Sequence, residues 1–387
     1  MDEASIALLN LETEEVRVLL EGGMRAQYSP TGHLVYARGG SLLAVPFDSS
    51  SLRVTGAPVQ IVEGVSMSHV TGSAEFSISR LLYTPGQLSG ADRRVVWIDR
   101  DGSTEPLIET PRAFADVALS PGDRFLATTI IGANDTIWLW NFSRGTLTRL
   151  IAEADNFSPT WAPTGDKIAF TSSRDGPYNL FWQSVDAAGT AEKLAPPVST
   201  QQPAGSWTKD GKTLIFTQAD DLWAMSPGEN QEPRVLWDSE HRENHPKLSP
   251  NGRLLAYDSD ESGQYEVYLR RFPELDRQLQ VSVDGGRPAF WNPNGRELFY
   301  LNGSRLMTVD VDERGESLHL SKPTVLFDRE ARLSRSSAVD GYEFYTVTAD
   351  GQRFITIAEV SKAPPPTHLI RVPNFGAELE RLVPTNQ

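Results

Sequence analysis

One pattern returns along the 387-residue chain and restricts its fold more than any other feature. An apolar residue is followed by Ser-Pro or its equivalent, a Gly, and then an apolar run that often ends in an aromatic. It reads Tyr28-Ser-Pro-Thr-Gly-His-Leu-Val-Tyr36, Leu119-Ser-Pro-Gly-Asp-Arg-Phe-Leu-Ala127 and Trp161-Ala-Pro-Thr-Gly-Asp-Lys-Ile-Ala-Phe170. It returns as Trp207-Thr-Lys-Asp-Gly-Lys-Thr-Leu-Ile-Phe216, Leu248-Ser-Pro-Asn-Gly-Arg-Leu-Leu-Ala-Tyr257, Trp291-Asn-Pro-Asn-Gly-Arg-Glu-Leu-Phe-Tyr300 and Val347-Thr-Ala-Asp-Gly-Gln-Arg-Phe-Ile355. An eighth copy, Phe76-Ser-Ile-Ser-Arg-Leu-Leu-Tyr83, lacks both Pro and Gly. Counted at the Ser or its equivalent, the copies fall at 29, 77, 120, 162, 208, 249, 292 and 348.

The chemistry of the motif is that of a β-hairpin. Pro sets φ at the entry to the turn, and Gly, often after Asn or Asp, supplies the positive φ that returns the chain. Apolar residues on both sides make the two strands buried ones. Ten to fifteen residues on comes a third strand, as in Thr136-Ile-Trp-Leu-Trp-Asn141, Asn179-Leu-Phe-Trp-Gln183, Asp221-Leu-Trp-Ala-Met225 and Glu266-Val-Tyr-Leu-Arg270. A short outer strand follows, such as Thr146-Leu-Thr-Arg-Leu150 or Gln278-Leu-Gln-Val281. Alternation with period two and no sustained helical period argue for an all-β chain. A four-strand unit repeating every ~40–50 residues predicts a closed β-propeller of four-stranded blades.

Eight hairpins predict eight blades, or seven if the degenerate copy at Phe76 is absorbed elsewhere. The reading is one propeller domain over 1–387, with residues 373–387 as a tail that carries a short helix at Phe375–Val383. Ile6–Asn10 and Val16–Leu20 read as strands without a hairpin of their own. Pairing them with the C-terminal strands would close the ring and leave no sheet edge. Thr367–Val372, after Pro364-Pro-Pro366, competes for the same place.

Charge and composition exclude several functions. The formal net charge is −15, and even Arg270-Arg271 is surrounded by Glu and Asp, so nucleic acid is a poor partner. There is no Cys, which removes disulfides, thiol catalysis and Cys-based zinc sites. No apolar run reaches the ~18–20 residues that span a bilayer, so no membrane insertion is expected. The acidic start, MDEASIALLNLETEE, lacks the features of a signal peptide. A soluble monomer is the expectation.

Further motifs carry a family resemblance. Gly40-Ser-Leu-Leu-Ala-Val-Pro-Phe-Asp48, Val95-Val-Trp-Ile-Asp-Arg-Asp-Gly102 and Ser259-Asp-Glu-Ser-Gly-Gln-Tyr-Glu-Val-Tyr268 stand beside Phe272-Pro273, Val283-Asp-Gly-Gly286 and Asp350-Gly-Gln-Arg-Phe354. Together with the hairpin motif, they resemble the TolB-like propeller repeat. They are similar above all to the propellers at the C-terminal end of bacterial receptor-type serine/threonine kinases and related winged-helix regulators. The kinase motifs themselves are missing. The resemblance implies a sensor or interaction module held outside the cytoplasm, and a chain that is a fragment or a free-standing derivative of a longer receptor.

Catalytic chemistry has little to rest on. No Gly-x-Ser-x-Gly pentapeptide is present, so the hydrolase of propeller peptidases is absent. Two histidines lie close together, in His241-Arg-Glu-Asn-His245, but on a loop before Pro246 and without the zincin Glu. Asp258-Ser-Asp-Glu-Ser-Gly263 matches the first half of a calcium loop, with Asp258, Asp260 and Ser262 as ligands, although Leu269 stands where the bidentate acid belongs. Calcium is the one cofactor expectation, against a solvated turn.

Binding loops on propellers lead into the innermost strand or join the second strand to the third. Read from those loops, the candidate ligand-binding residues are Arg112, Asn156, Arg174, Asp175, Gln202, His245 and Arg287. Mixed charges, amides and aromatics at a channel mouth suit a protein segment, a peptide or a small extracellular ligand. The expectation is therefore a non-catalytic binding or sensing module. The alternative is a hydrolase or lyase with a channel-mouth active site, metal-assisted or not.

Overall fold

The computed structural model describes residues 5–38, 40–67, 74–85, 93–132, 134–176, 178–186, 190–194, 204–227, 232–314, 317–328, 345–360 and 368–385. The chain divides into two compact units, residues 1–91 with 361–387 and residues 92–360, where the sequence reads as one domain. All eight hairpins form.

Six of them build the 92–360 unit, which among the described residues holds six antiparallel sheets of four or five strands. Blade 1 combines Arg93–Asp99 and Thr104–Arg112 with Tyr345–Val347 and Arg353–Glu359. Blade 2 runs from Ala118–Leu119 to Thr146–Ile151, and blade 3 from Asn156–Trp161 to Glu192–Lys193. Blade 4 runs from Ala204–Trp207 to Arg234–Trp237, and blade 5 from Glu243–Leu248 to Leu279–Gln280. Blade 6 starts at Ala289–Trp291, and its long third strand Arg305–Arg314 pairs with both Ser317–Leu320 and Thr324–Asp328.

The second strand of each hairpin is apolar without alternation because both its faces are covered. Ile168-Ala-Phe170 and Leu254-Leu-Ala-Tyr257 are buried throughout. Each gap between neighbouring blades is filled by one core. Ala127 and Ile137 meet Phe170, Ala169 and Leu180 meet Phe216, and Ile215 and Leu222 meet Leu255. Val267 meets Tyr300, Phe299 meets Phe354, and Val95 and Ile355 meet Leu126. The sixth core returns to blade 2, so this unit is a closed ring in itself.

The closure differs from the expected one. Ser5–Leu9 pairs with Val16–Glu21 in a two-stranded sheet of their own. The C-terminal hairpin is received by Arg93–Asp99, which pairs with Arg353–Glu359 from Arg93 opposite Glu359 to Asp99 opposite Arg353. Arg353 fastens this seam by donating to Asp99 (2.7 Å) and to Glu105 while its guanidinium lies 4.5 Å from the Trp97 ring centroid. The expected partners of Ile6–Leu20 are thus taken by a nearer hairpin whose apolar faces match.

Two residues of the repeat motif bind blade to blade. The Trp before the turn donates its indole N–H to the innermost strand of the preceding blade, Trp161 to the Ala118 carbonyl (2.9 Å) and Trp291 to the Lys247 carbonyl (3.0 Å). The turn Gly packs on the preceding turn. A Cβ on Gly165 would lie 3.6 Å from Pro121, and one on Gly295 3.7 Å from Pro250.

In the other unit, Met24–Ser29, His33–Arg38, Ser41–Asp48 and Arg53–Val54 form one sheet, with Val59–Glu63 also on Ser41–Asp48. The degenerate copy, Phe76–Ser77 with Leu82–Tyr83, is joined by Ile370–Arg371 from the segment that competed for the closure. Helix Phe375–Leu382 occupies the expected tail and packs Phe375 and Leu379 against Val35, Leu42 and Leu81. His33, fully buried, bonds the Val383 carbonyl through Nε2 (2.6 Å) and Thr31 through Nδ1 (2.9 Å). No helix among the described residues is long and apolar enough to cross a membrane.

Candidate functional site: the axial cavity of the 92–360 unit

Proline and bulges interrupt two of the innermost strands, Asn156–Trp161 and Glu243–Leu248. Ser158-Pro159 and His245-Pro246 lack one ladder N–H each, and the register slips between Phe157 and Thr160 and between Asn244 and Lys247. Ser158 and His245 take left-handed φ values of 54° and 51° at these bulges. A bulge re-aims the side chains that follow it.

Past the bulges, the innermost strands and their turns enclose a cavity of ≈ 380 Å³. All six blades contribute to its wall: Thr346 to Ala349 from blade 1, Ala118 to Asp123 from blade 2, Pro159 to Pro163 from blade 3, Gly205 to Trp207 from blade 4, Lys247 from blade 5 and Pro293 from blade 6. A cavity touched by every blade is the axial channel of the ring, and its size is that of a small-ligand cleft.

The wall is hydroxyl-lined and apolar by turns, and its hydroxyls brace the blades. Thr346 Oγ1 accepts the Leu119 N–H (3.4 Å), and Ser206 Oγ accepts the Leu248 N–H (3.1 Å). Lys247 Nζ donates to the Gly205 carbonyl (3.0 Å). The Asp123 carboxylate accepts the Ala349 N–H (2.9 Å), and burial pushes its pKa above the usual range. Trp161 and Trp207, largely buried and stacked on Phe125 and Trp182, line the cavity beside one cation and one anion.

The residues expected from the loops lie at the opposite end of the strands, since an antiparallel blade puts its first turn and its second at opposite ends. Asn156, Arg174 and His245 are structural or half-buried there. Asn156 is fully buried and donates to the carbonyls of Glu153 and Ala154 (both 2.8 Å), while its Oδ1 accepts from Arg174 (3.1 Å). Arg174 lies over the rings of Phe170 and Phe181, and burial lowers its pKa. Asp175 is exposed and pairs with Lys193 at 3.2 Å. Arg112 is exposed over Trp138, 5.1 Å from its centroid, and Arg287 lies 4.0 Å from the Tyr265 centroid. Gln202 lies outside the described residues. Asn156 and Arg174 are in mutual contact.

The calcium reading meets a different arrangement. Asp258 is fully buried at the end of its strand and bonds His245 Nδ1 through Oδ1 (2.9 Å). Asp260 accepts the Arg242 N–H (3.0 Å), and Ser262 donates to the Gln264 carbonyl (3.1 Å). Asp258 is thus turned toward the innermost strand and not into the hairpin with the other two. Among the described residues no group of three or more His, Asp or Glu is placed to hold a metal ion.

Two residues escaped the sequence reading. Asp116, fully buried, accepts the Thr129 N–H and hydroxyl (both 2.7 Å) and the Ser158 N–H (3.0 Å), joining blades 2 and 3. Lys247 sits inside a strand, where a polar residue reads as solvent-facing. The Pro two residues before a buried motif Leu was the available signal, since it marks a bulge.

Comparison with known proteins adds the family. Residues 100–272 match the TolB beta propeller domain model, PD40. The chain carries a TolB-like propeller. Comparison with curated protein sequences gives no match. Among solved structures, a protein assigned as TolB from Agrobacterium tumefaciens is 16% identical with a TM-score of 0.56, over 70% of this chain and 99% of that one. TolB from Acinetobacter baumannii is 15% identical with a TM-score of 0.41, over 86% and 78%. A periplasmic gluconolactonase from Pseudomonas aeruginosa is 14% identical with a TM-score of 0.41, over 74% and 93%. At these identities the likeness is one of fold, and the TolB-like propeller of this chain takes its function from its own sites.

Proposed function

We propose that the TolB-like propeller of residues 92–360 is a non-catalytic binding module that takes a peptide segment of a partner protein into its axial cavity. The observation that carries this reading is the cavity itself, ≈ 380 Å³ with a wall drawn from all six blades. Its mixed apolar and polar lining suits an extended chain better than a reacting group, because Ser206 and Thr346 hydroxyls brace neighbouring strands. A location outside the cytoplasm follows from the family resemblance and belongs to the same proposal.

The test is selection of peptides from a random display library on the intact chain, with affinities measured for the wild type and for the cavity-filling variants Thr160→Trp and Thr346→Trp. Recovered peptides should lose at least ten-fold in affinity to both variants, measured at a temperature where each is folded by circular dichroism. Peptides that bind filled and open cavities alike would overturn the reading.

A second reading has one observation in its favour, the His245–Asp258 pair, in which a buried carboxylate orients an imidazole as in general-base dyads. A hydrolase or lyase using this pair should turn over lactone, ester or glycan substrates and lose that turnover in His245→Ala.

A further inference from the structure

Ser5–Leu9 and Val16–Glu21 have the chain order of a blade's third and fourth strands, since Gly22-Gly23 leads from them into Met24–Ser29, the first strand of the next sheet. Ile6 shares a core with Leu34 and Tyr36 of the following second strand, as Ile137 does with Ile168 and Phe170 in the ring. The difference lies on the inner side. Thr136–Asn141 pairs with a second strand as well as a fourth, and so does Ser41–Asp48. Among the described residues Ser5–Leu9 pairs with Val16–Glu21 alone, and none of its backbone groups bonds elsewhere. The pair is the outer half of a blade with its inner edge open.

That edge has none of the usual protection. Ser5-Ile-Ala-Leu-Leu9 carries no charge and no Pro, and the extra residue at the register shift, Leu19, belongs to the other strand. Beside the edge, Leu9 opposite Val16 and Ala7 opposite Val18 make one apolar face, on which Leu9, Val16 and Val18 are 53%, 63% and 54% exposed.

We infer that Ser5–Leu9 receives an extended segment of a partner protein, which adds to it as the missing second strand. The inference is independent of the axial reading. Main-chain bonds along the edge supply affinity, and apolar side chains of the segment extend the cover over Leu9 and Val18. A second strand runs antiparallel to a third, so the segment begins beside the turn Asn10–Glu15. That turn holds Glu12, Glu14 and Glu15, all exposed and, among the described residues, without an ion pair. Arg17, the one base between Ser5 and Glu21, pairs with Leu8 on the other face and donates to the Leu52 carbonyl. The segment that fits is therefore apolar, with Lys or Arg just before the apolar stretch. The same acids disfavour a second copy, because residues 1–16 contain no base to bring to them.

The experiment selects peptides from a random display library on the intact chain and measures them on Ala7→Lys, Glu12→Gln/Glu14→Gln/Glu15→Gln and the cavity-filling Thr160→Trp. Ala7 is exposed on the open edge, so its substitution carries little folding risk. One class of peptides should be apolar with Lys or Arg ahead of the apolar stretch. These should lose at least ten-fold in affinity to Ala7→Lys and about three-fold to the triple variant at low salt, and bind Thr160→Trp like wild type. N-methylation of alternate peptide residues should abolish their binding, and they should slow amide exchange at Ser5–Leu9. If every recovered peptide binds Ala7→Lys like wild type, if none slows that exchange, or if no peptide is recovered, the edge site is overturned. Peptides lost to Thr160→Trp alone would overturn it and leave the axial reading standing. A dimer in sedimentation that Ala7→Lys dissolves would put a second copy on the edge and overturn the partner segment.

Discussion

At the scale of single residues, the turn glycines show how one letter of the motif serves two purposes. All six turns of the ring hold a residue in the left-handed region, and blade 2 has two, Gly122 at φ 72° and Asp123 at φ 54°. Gly252 and Gly351 have nearly the same φ, 75° and 71°, but a Cβ on Gly252 would meet nothing within 4 Å, whereas one on Gly351 would lie 2.4 Å from Asn292 Oδ1. Gly252→Ala should therefore cost only the backbone strain, about 1–2 kcal/mol. Gly351→Ala must also displace Asn292, which donates to Glu297 (2.9 Å), and should cost clearly more in chemical denaturation. Equal losses would show that packing between blades 6 and 1 is looser than the geometry implies. The Trp positions make a similar point. Trp161 and Trp291 donate to neighbouring blades, but the buried indole N–H of Trp207 has no partner among the described residues, so one motif letter does not guarantee one role.

At the scale of elements, blade 5 carries the most unusual strand end. Glu243 is 1% exposed, and its Oε1 accepts from the Ser239 hydroxyl at 2.6 Å. Burial raises its pKa, with the Ser239 and Ser259 hydroxyls opposing. A raised carboxyl means that the folded chain holds the proton to higher pH than the unfolded one. Glu243 therefore leaves the fold unharmed at low pH and costs stability as pH rises from about 4.3 through its folded pKa. Glu243→Gln keeps an acceptor for Ser239 and removes the charge. Its melting temperature should match the wild type near pH 4 and exceed it at pH 7. A variant that tracks the wild type at both pH values would show that the carboxylate is solvated after all. Glu297 behaves oppositely. Burial pushes it up, but hydrogen bonds from Arg100, Thr308 and Asn292 prevail and hold it below the usual range, so its contribution disappears only as pH falls through that lowered pKa.

At the scale of the whole molecule, the ring of residues 92–360 closes on its own strands, with Arg93–Asp99 and Arg353–Glu359 as the seam. Residues 92–360 expressed alone should unfold in a single cooperative calorimetric transition. A fragment starting at 116 lacks both Arg93–Asp99 and Thr104–Arg112, leaves Ile355 and Ile357 uncovered, and should fail to fold or should aggregate as exposed strand edges do. A well-folded shorter fragment would contradict the closure.

What the sequence determined by itself is everything that local chemistry controls. Each hairpin follows from a Pro that sets φ and a Gly or Asp that accepts a positive φ, and those preferences hold wherever the hairpin lies. The third strands are equally legible, because Thr136–Asn141 and Asp221–Met225 alternate between faces. The tertiary structure alone decided which hairpins share a ring, since strands far apart in the chain choose partners by side-chain fit. Ile6–Leu20 offered a plausible seam, and Val95, Val96 and Ile98 formed a better-buried one. It also decided where the site is. Loop polarity pointed to residues such as Asn156 and Arg174, whose polar atoms turned out to satisfy one another. The cavity instead appeared where innermost strands and turns from six separate blades converge, an arrangement that no single repeat contains.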